Sequence, residues 1–417
     1  MPEIRPPTST ADRGAAWRPA FLALTGVFTV GMAFTTVPTP LYPIYESHEG
    51  YGTATITVIF AVYPLGVMAS VLLLGHASDR VGRRRAIVPA LGLEALSAVG
   101  FLLSSSLPVL LAARVVCGIG VGILTATAAA YLAELDRRAR VHGPRRADLA
   151  VTGATFGGFG AGALGSGLLA TVAPAPLRLP FLVALIGLLA AGLVAALLPE
   201  TLTARAAGPA LRLQRLVVPS HARRPYFGAC AGGFAALCLL SLYASVAPSF
   251  LADSLHQRSP AVAGAMACAC CFAAGLGQIA LVRLAPRRQL CTALILLPAG
   301  IVMVTLAVAL ESFPLFLAGG MIGGLGSGGL FKRALATVDD LAPAASRAEA
   351  FAGFYLAVYL NATFPVVALG VLTQAFGALT AVSAFAVMIF LVLAVAAPSL
   401  MGAPVAMRTP APEPEQA

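Results

Sequence analysis

Apolar runs of about twenty residues return all along this chain, each ended by a turn or a charge. The sequence predicts helices over 20–41, 53–74, 86–104, 108–131, 149–171, 178–198, 226–250, 260–282, 289–310, 314–335, 349–371 and 377–399. Each is near the ~20 residues that cross ~30 Å of hydrocarbon. Only 11% of the residues are charged and 59% are hydrophobic, whereas a soluble domain carries about 25% charged residues. So few charges cannot cover a large soluble surface. The chain reads as an all-α polytopic membrane protein with twelve spans and both ends on one side.

The distribution of basic residues tests that count. Twenty-four of the 27 fall in the termini or in loops on the side of the turn Gly75–Arg85, and only Arg178 and Arg258 fall opposite. Arg114 alone lies within a span. Lys and Arg are retained on the cytoplasmic side, so the sequence places both termini in the cytoplasm and the chain in the plasma (inner) membrane. The net charge of +10 does not mark a nucleic-acid binder, because the basic residues sit in short loops between apolar spans.

The longest loop divides the chain near its middle. The expected parts are a cytoplasmic tail (1–19), a six-helix bundle (20–200), a cytoplasmic linker (201–225), a second six-helix bundle (226–400) and a second tail (401–417). The halves look duplicated. Leu111-Ala112 with Gly118, Gly120 and Gly122 matches Leu317-Ala318 with Gly324, Gly326 and Gly328 at a constant offset of 206. Thr36-Val37-Pro38 in span one echoes Val246-Ala247-Pro248 in span seven. Two pseudo-symmetric bundles of six are an architecture that transporters use for alternating access.

The turn Gly75-His76-Ala77-Ser78-Asp79-Arg80-Val81-Gly82-Arg83-Arg84-Arg85 sets one acid among four arginines. Its glycines permit a tight turn, and Asp79 can pair with an arginine or a helix N-terminus. This stretch resembles the signature loop between spans two and three of the major facilitator superfamily, with Gly75, Asp79, Arg80, Gly82, Arg83 and Arg84 fitting the pattern. The resemblance extends over about residues 20–400 and is nearest to the drug/metabolite proton antiporter branch. It implies the twelve-span fold of that superfamily and a latch in this loop that tunes the switch between states.

Arg114 lies six residues past Pro108, about 9 Å below the surface. A charge at that depth is costly and is functional by default. The repeat puts Gly320 at the matching place, so the architecture does not itself require an arginine. The resemblance implies proton coupling or substrate contact for Arg114. Glu94 is the one acid deep in a span, about 12 Å from the inner surface and about 9 Å in height from Arg114 if the core is ~30 Å thick. It is read as a protonatable site governed by Arg114.

Span five is rich in glycine. Gly158, Gly162 and Gly167 resemble the superfamily's antiporter motif, with Ala163 standing in place of its Pro. Together with Gly118, Gly120, Gly324 and Gly326 these residues are expected to pack helices closely. The expected substrate-cavity residues are Thr35, Thr36, Thr39, Tyr63, Thr125, Tyr243, Gln278, Tyr355, Tyr359 and Asn361. The seven cysteines lie in or beside apolar runs and form no disulfide framework. No cofactor and no metal are expected, and the five histidines are placed in loops.

The sequence therefore describes a non-enzymatic secondary transporter. It is expected to move a small molecule by alternating access coupled to protons, as a monomer in contact with lipid and without nucleic acid. The charge-poor, aromatic cavity suits efflux of a drug-like or secondary-metabolite compound. Uptake of a sugar or organic acid is the alternative within the class, and a polytopic membrane enzyme or non-transporting sensor the alternative outside it.

Overall fold

The computed structural model describes residues 17–75, 77–139, 145–202, 222–253, 257–343 and 346–402. Residues 1–16 and 403–417 of the expected tails, and 203–221 of the expected linker, lie outside the described residues. The described chain is helical, without a strand. Twelve helices are long and apolar enough to cross a membrane: Trp17–Glu49, Thr53–Leu74, Arg83–Leu103, Leu107–Arg138, Arg146–Val172, Leu179–Leu197, Arg223–Ser245, Pro260–Arg283, Pro286–Ala309, Phe313–Leu341, Arg347–Phe376 and Ala378–Met401. They are called spans one to twelve.

Two buried apolar clusters organise the molecule, one built from spans one to six together with Ala362 and Val366 of span eleven, and one from spans seven to twelve. In the first half span four lies against spans two and three, and span one packs on spans four, five and six. In the second half span ten lies against spans eight and nine, and span seven packs on spans ten and twelve. The halves meet along two seams, span five on span eight and span two on span eleven. Those two pairings exchange under the offset that relates the halves, so the interface has the repeat's own pseudo-symmetry.

The duplicated glycines make the repeat visible in space. A Cβ on Gly118 would lie 2.1 Å from the Tyr63 carbonyl oxygen of span two, and one on Gly324 would lie 2.8 Å from the Cys270 carbonyl oxygen of span eight. A Cβ on Gly120 would meet the Ala90 carbonyl of span three at 2.7 Å, and one on Gly326 would meet the Leu297 nitrogen of span nine at 2.3 Å. In lipid, helices associate through such backbone-to-backbone approach. Gly158 and Gly162 face span one at Thr29 and Ala33, and Gly167 faces span eight at Pro260.

Three spans are interrupted. Span one runs as Trp17–Phe34, turns through a 3-10 segment Thr39–Leu41, and resumes as Tyr42–Glu49. Span eleven breaks at Leu360–Ala362 between Arg347–Tyr359 and Phe364–Phe376. Span seven ends at Ser245 and continues as the short helix Ala247–Asp253. Span one was expected to stop at 41; it carries a further helix because Pro43 sits in the first turn of Tyr42–Glu49, where a missing N–H costs nothing. His48 therefore ends a helix and is exposed, rather than lying in a loop.

Candidate functional site

The arginine-rich turn is more ordered than a tight turn. Ala77–Val81 forms a one-turn helix, and Gly75 has an ordinary right-handed φ of −56°. The expectation that both glycines make the turn is corrected: Gly82 alone needs its freedom, with φ +108°. A Cβ on Gly82 would also lie 2.6 Å from Glu200 Oε2.

That contact belongs to a network. The Glu200 carboxylate accepts the backbone N–H groups of Arg83 at 3.0 Å and Arg84 at 3.2 Å, and so caps span three. It also accepts those of Thr201 and Leu202. Arg83 is buried and bonds Asp79 at 2.6 Å, Glu134 at 2.8 Å and Ser78 at 2.7 Å. Thr201 Oγ1 donates to Glu134 at 2.5 Å. The network thus joins the loop helix Ala77–Val81 to the ends of spans three, four and six within one half. Sequence reading missed Glu134 because it ended span four at 131; the helix runs on to Arg138, about two turns further.

Arg114 is buried to 1% exposure. Its Nη1 donates to the Thr35 carbonyl at 3.0 Å, and its Nη2 to the Tyr42 hydroxyl. The rings of Tyr42, Tyr63 and Phe101 surround the guanidinium at 5.8 to 5.9 Å. The need for Arg114 is set by the break in span one. Pro38 has no N–H to give. The turn tightens, with Val37 N–H donating to Phe34 O and Thr39 N–H to Thr36 O, and it passes over the Thr35 carbonyl that Arg114 takes up.

The duplicated half solves the same place differently. At Gly320, the counterpart of Arg114, an added Cβ would stand 2.5 Å from the Tyr243 ring and hydroxyl. Tyr243 Oη instead donates to the Phe316 carbonyl at 2.5 Å, bridging spans seven and ten.

Glu94 is fully buried, and neither carboxyl oxygen has a hydrogen-bond partner. It points at Gly31 of span one, where an added Cβ would lie 3.3 Å from Oε2, and at Gly120 of span four. Glu94 and Arg114 form no ion pair among the described residues, contrary to the coupling expected from their heights. Arg114 engages span one through Nη1 at Thr35, one helical turn beyond Gly31, and through Nη2 at Tyr42, while its Nε is buried without a partner.

Several residues expected in a cavity bond helix to helix. Thr36 Oγ1 donates to the Phe159 carbonyl at 2.7 Å, and Thr39 Oγ1 to the Ala244 carbonyl at 3.0 Å. Thr35 bonds back to Met32 within its own span. Gln278 meets Thr152 at 3.2 Å across the halves. Asn361 bridges Ser241 Oγ at 2.6 Å and the Val358 carbonyl at 2.5 Å, which the break in span eleven exposes. Tyr63 is buried beside Arg114, while Thr125, Tyr355 and Tyr359 are half-buried, with the two span-eleven rings 6.5 Å apart.

Residues 23–230 match the family model described as Major Facilitator Superfamily. A curated relative, the uncharacterized MFS-type transporter Rv1250 of Mycobacterium tuberculosis, is 31% identical over 109 residues, which are 26% of this chain and 19% of the relative. The match thus spans about a fifth of that relative's length. Among solved structures, a mutant of the nucleoside transporter NupG superposes with TM-score 0.72 at 10% identity, over 91% of this chain and 99% of that one. The human organic anion transporter MFSD10 gives TM-score 0.66 at 17% identity, over 93% and 100%. A bacterial homolog of the human lysosomal transporter Spinster, inward-facing and unoccupied, gives 0.64 at 16%, over 95% and 97%. At these identities the structures report fold alone. The family match over residues 23–230 places this protein in the Major Facilitator Superfamily, and the solved structures share its fold over nearly all of the chain.

Proposed function

We propose that this chain is a secondary active transporter that carries a small molecule by alternating access, with Glu94 as the group that takes up and releases a proton. The observation behind this reading is the state of Glu94: an acid at 0% exposure whose two oxygens have no protein partner, set where spans one, three and four converge. A purely structural carboxylate would be expected to hold a partner, since buried polar groups are hydrogen-bonded. Its neighbours Gly31 and Gly120 lie on two other spans, so a change at Glu94 is felt at both helix contacts.

The substrate reading is an amphiphilic, drug-like or secondary-metabolite compound moved outward. It is supported by Tyr355 and Tyr359, half-buried on span eleven beside span two, and by the commitment of Arg114 to protein acceptors. The arginine-rich face is read as cytoplasmic. The test is purified protein in liposomes under an imposed pH gradient, screened against amphiphiles, nucleosides and organic anions. Substrate-evoked proton flux supports the reading, and its sign reports direction. A panel with no proton movement for any transported compound refutes the coupling.

A further inference from the structure

Two prolines leave two carbonyls without a helical donor, and the protein satisfies them in opposite ways. In span one the Thr35 carbonyl passed over near Pro38 is taken by Arg114, which belongs to the same half. In span seven Pro248 has no N–H for the carbonyl four residues back, Ala244. That carbonyl is taken by Thr39 Oγ1 at 3.0 Å, a residue of the other half that is itself 1% exposed. A bond inside one half survives any movement between halves; a bond across them must break.

A second bond lies alongside. Ser249 Oγ on the span-seven extension donates to Glu46 Oε2 on the span-one extension at 2.9 Å. The other oxygen, Glu46 Oε1, is buried and unpartnered. Both bonds lie toward the face opposite the arginine-rich turn, where the interrupted ends of spans one and seven meet.

We propose that the Thr39–Ala244 and Ser249–Glu46 bonds form a latch that closes this face, with the proline-freed Ala244 carbonyl as its switchable half. This rests on the alternating-access reading above. When the halves part, Ala244 loses its protein donor and takes one from water. The proline thereby supplies an acceptor that is usable in both states, which a continuous helix would lack. Arg114 is a positioning residue for the latch, since it fixes the turn immediately before Thr39.

The test is a distance measurement between spin labels at Ser106→Cys and Glu311→Cys, exposed positions on that face in the first and second halves. It is made on the full chain in a Cys291→Ser background, without substrate or gradient. The parent is expected to show a short-distance population. Thr39→Val, which removes the donor, and Pro248→Ala, which returns a helical donor to Ala244, are each expected to add a longer one. Thr39→Ser keeps the hydroxyl and is expected to match the parent. Identical distributions in all four proteins overturn the proposal. So does a shift in Thr39→Ser as large as that in Thr39→Val. Labels that separate without any flux in liposomes would sink the transport reading and leave the latch standing; flux without separation would do the reverse.

Discussion

Arg114 donates from span four to the Thr35 carbonyl of span one at 3.0 Å, which makes a buried charge the substitute for a missing backbone N–H. The arginine and the break in span one are therefore one structural fact. Arg114→Met leaves the Thr35 carbonyl and Tyr42 hydroxyl unmet. Each buried polar group left so costs about 1–3 kcal/mol, and thermal unfolding in detergent should show the loss. Arg114→Lys should recover part of it, because an ammonium can reach one acceptor but lacks the guanidinium's fork.

Glu94→Gln keeps the shape of the side chain and removes its acidity. Flux driven by a pH gradient is expected to fall at least about a hundredfold, the lower end of what a positioned proton-transfer group contributes, while substrate exchange without a gradient persists. Paired flux and counterflow assays on the same liposomes check this. Undiminished proton-driven flux would take Glu94 out of the mechanism.

The repeat glycines offer a controlled series. Gly118→Ala and Gly324→Ala place a carbon against neighbouring backbone in equivalent seams, and overpacking of this kind costs about 1–3 kcal/mol. Gly92→Ala in span three meets nothing within 4 Å. It should be neutral, or stabilising by up to about 1 kcal/mol through helix propensity. Unfolding midpoints of the three variants should separate accordingly.

Glu200→Ala removes the cap on span three while leaving the Arg83–Asp79 and Arg83–Glu134 pairs in place. Loss of a cap costs about 1 kcal/mol. Amide exchange should quicken at Arg83 and Arg84 and stay unchanged at the start of span nine, where the network has no equivalent partner for Arg287 and Arg288 among the described residues.

Much of this architecture could be read from the chain. Span count follows from run length, and the pairing of Gly118 with Gly324 and of Gly120 with Gly326 follows from a constant offset, because close helix contacts need small residues at fixed spacing. The site was less legible. Arg114 and Glu94 were found by their depth, yet depth gives height along a helix and not the direction in which a side chain leaves it. Their separate engagement of span one, at Thr35 and at Gly31, depends on which helices touch. Glu134 escaped notice because span four was read as ending at 131 and its partner Arg83 is far away in sequence, and the capping role of Glu200 depends on backbone amides more than a hundred residues earlier. The breaks at Pro38 and Pro248 were visible as prolines, but the donors that complete them come from other spans.

Tyr243 occupies the space that a side chain at residue 320 would need. An arginine introduced there would collide with the ring before it reached any acceptor, and deleting Arg114 in the other half would strand Thr35 before any tyrosine arrived to replace it. A lone mutation therefore cannot convert either half into its twin.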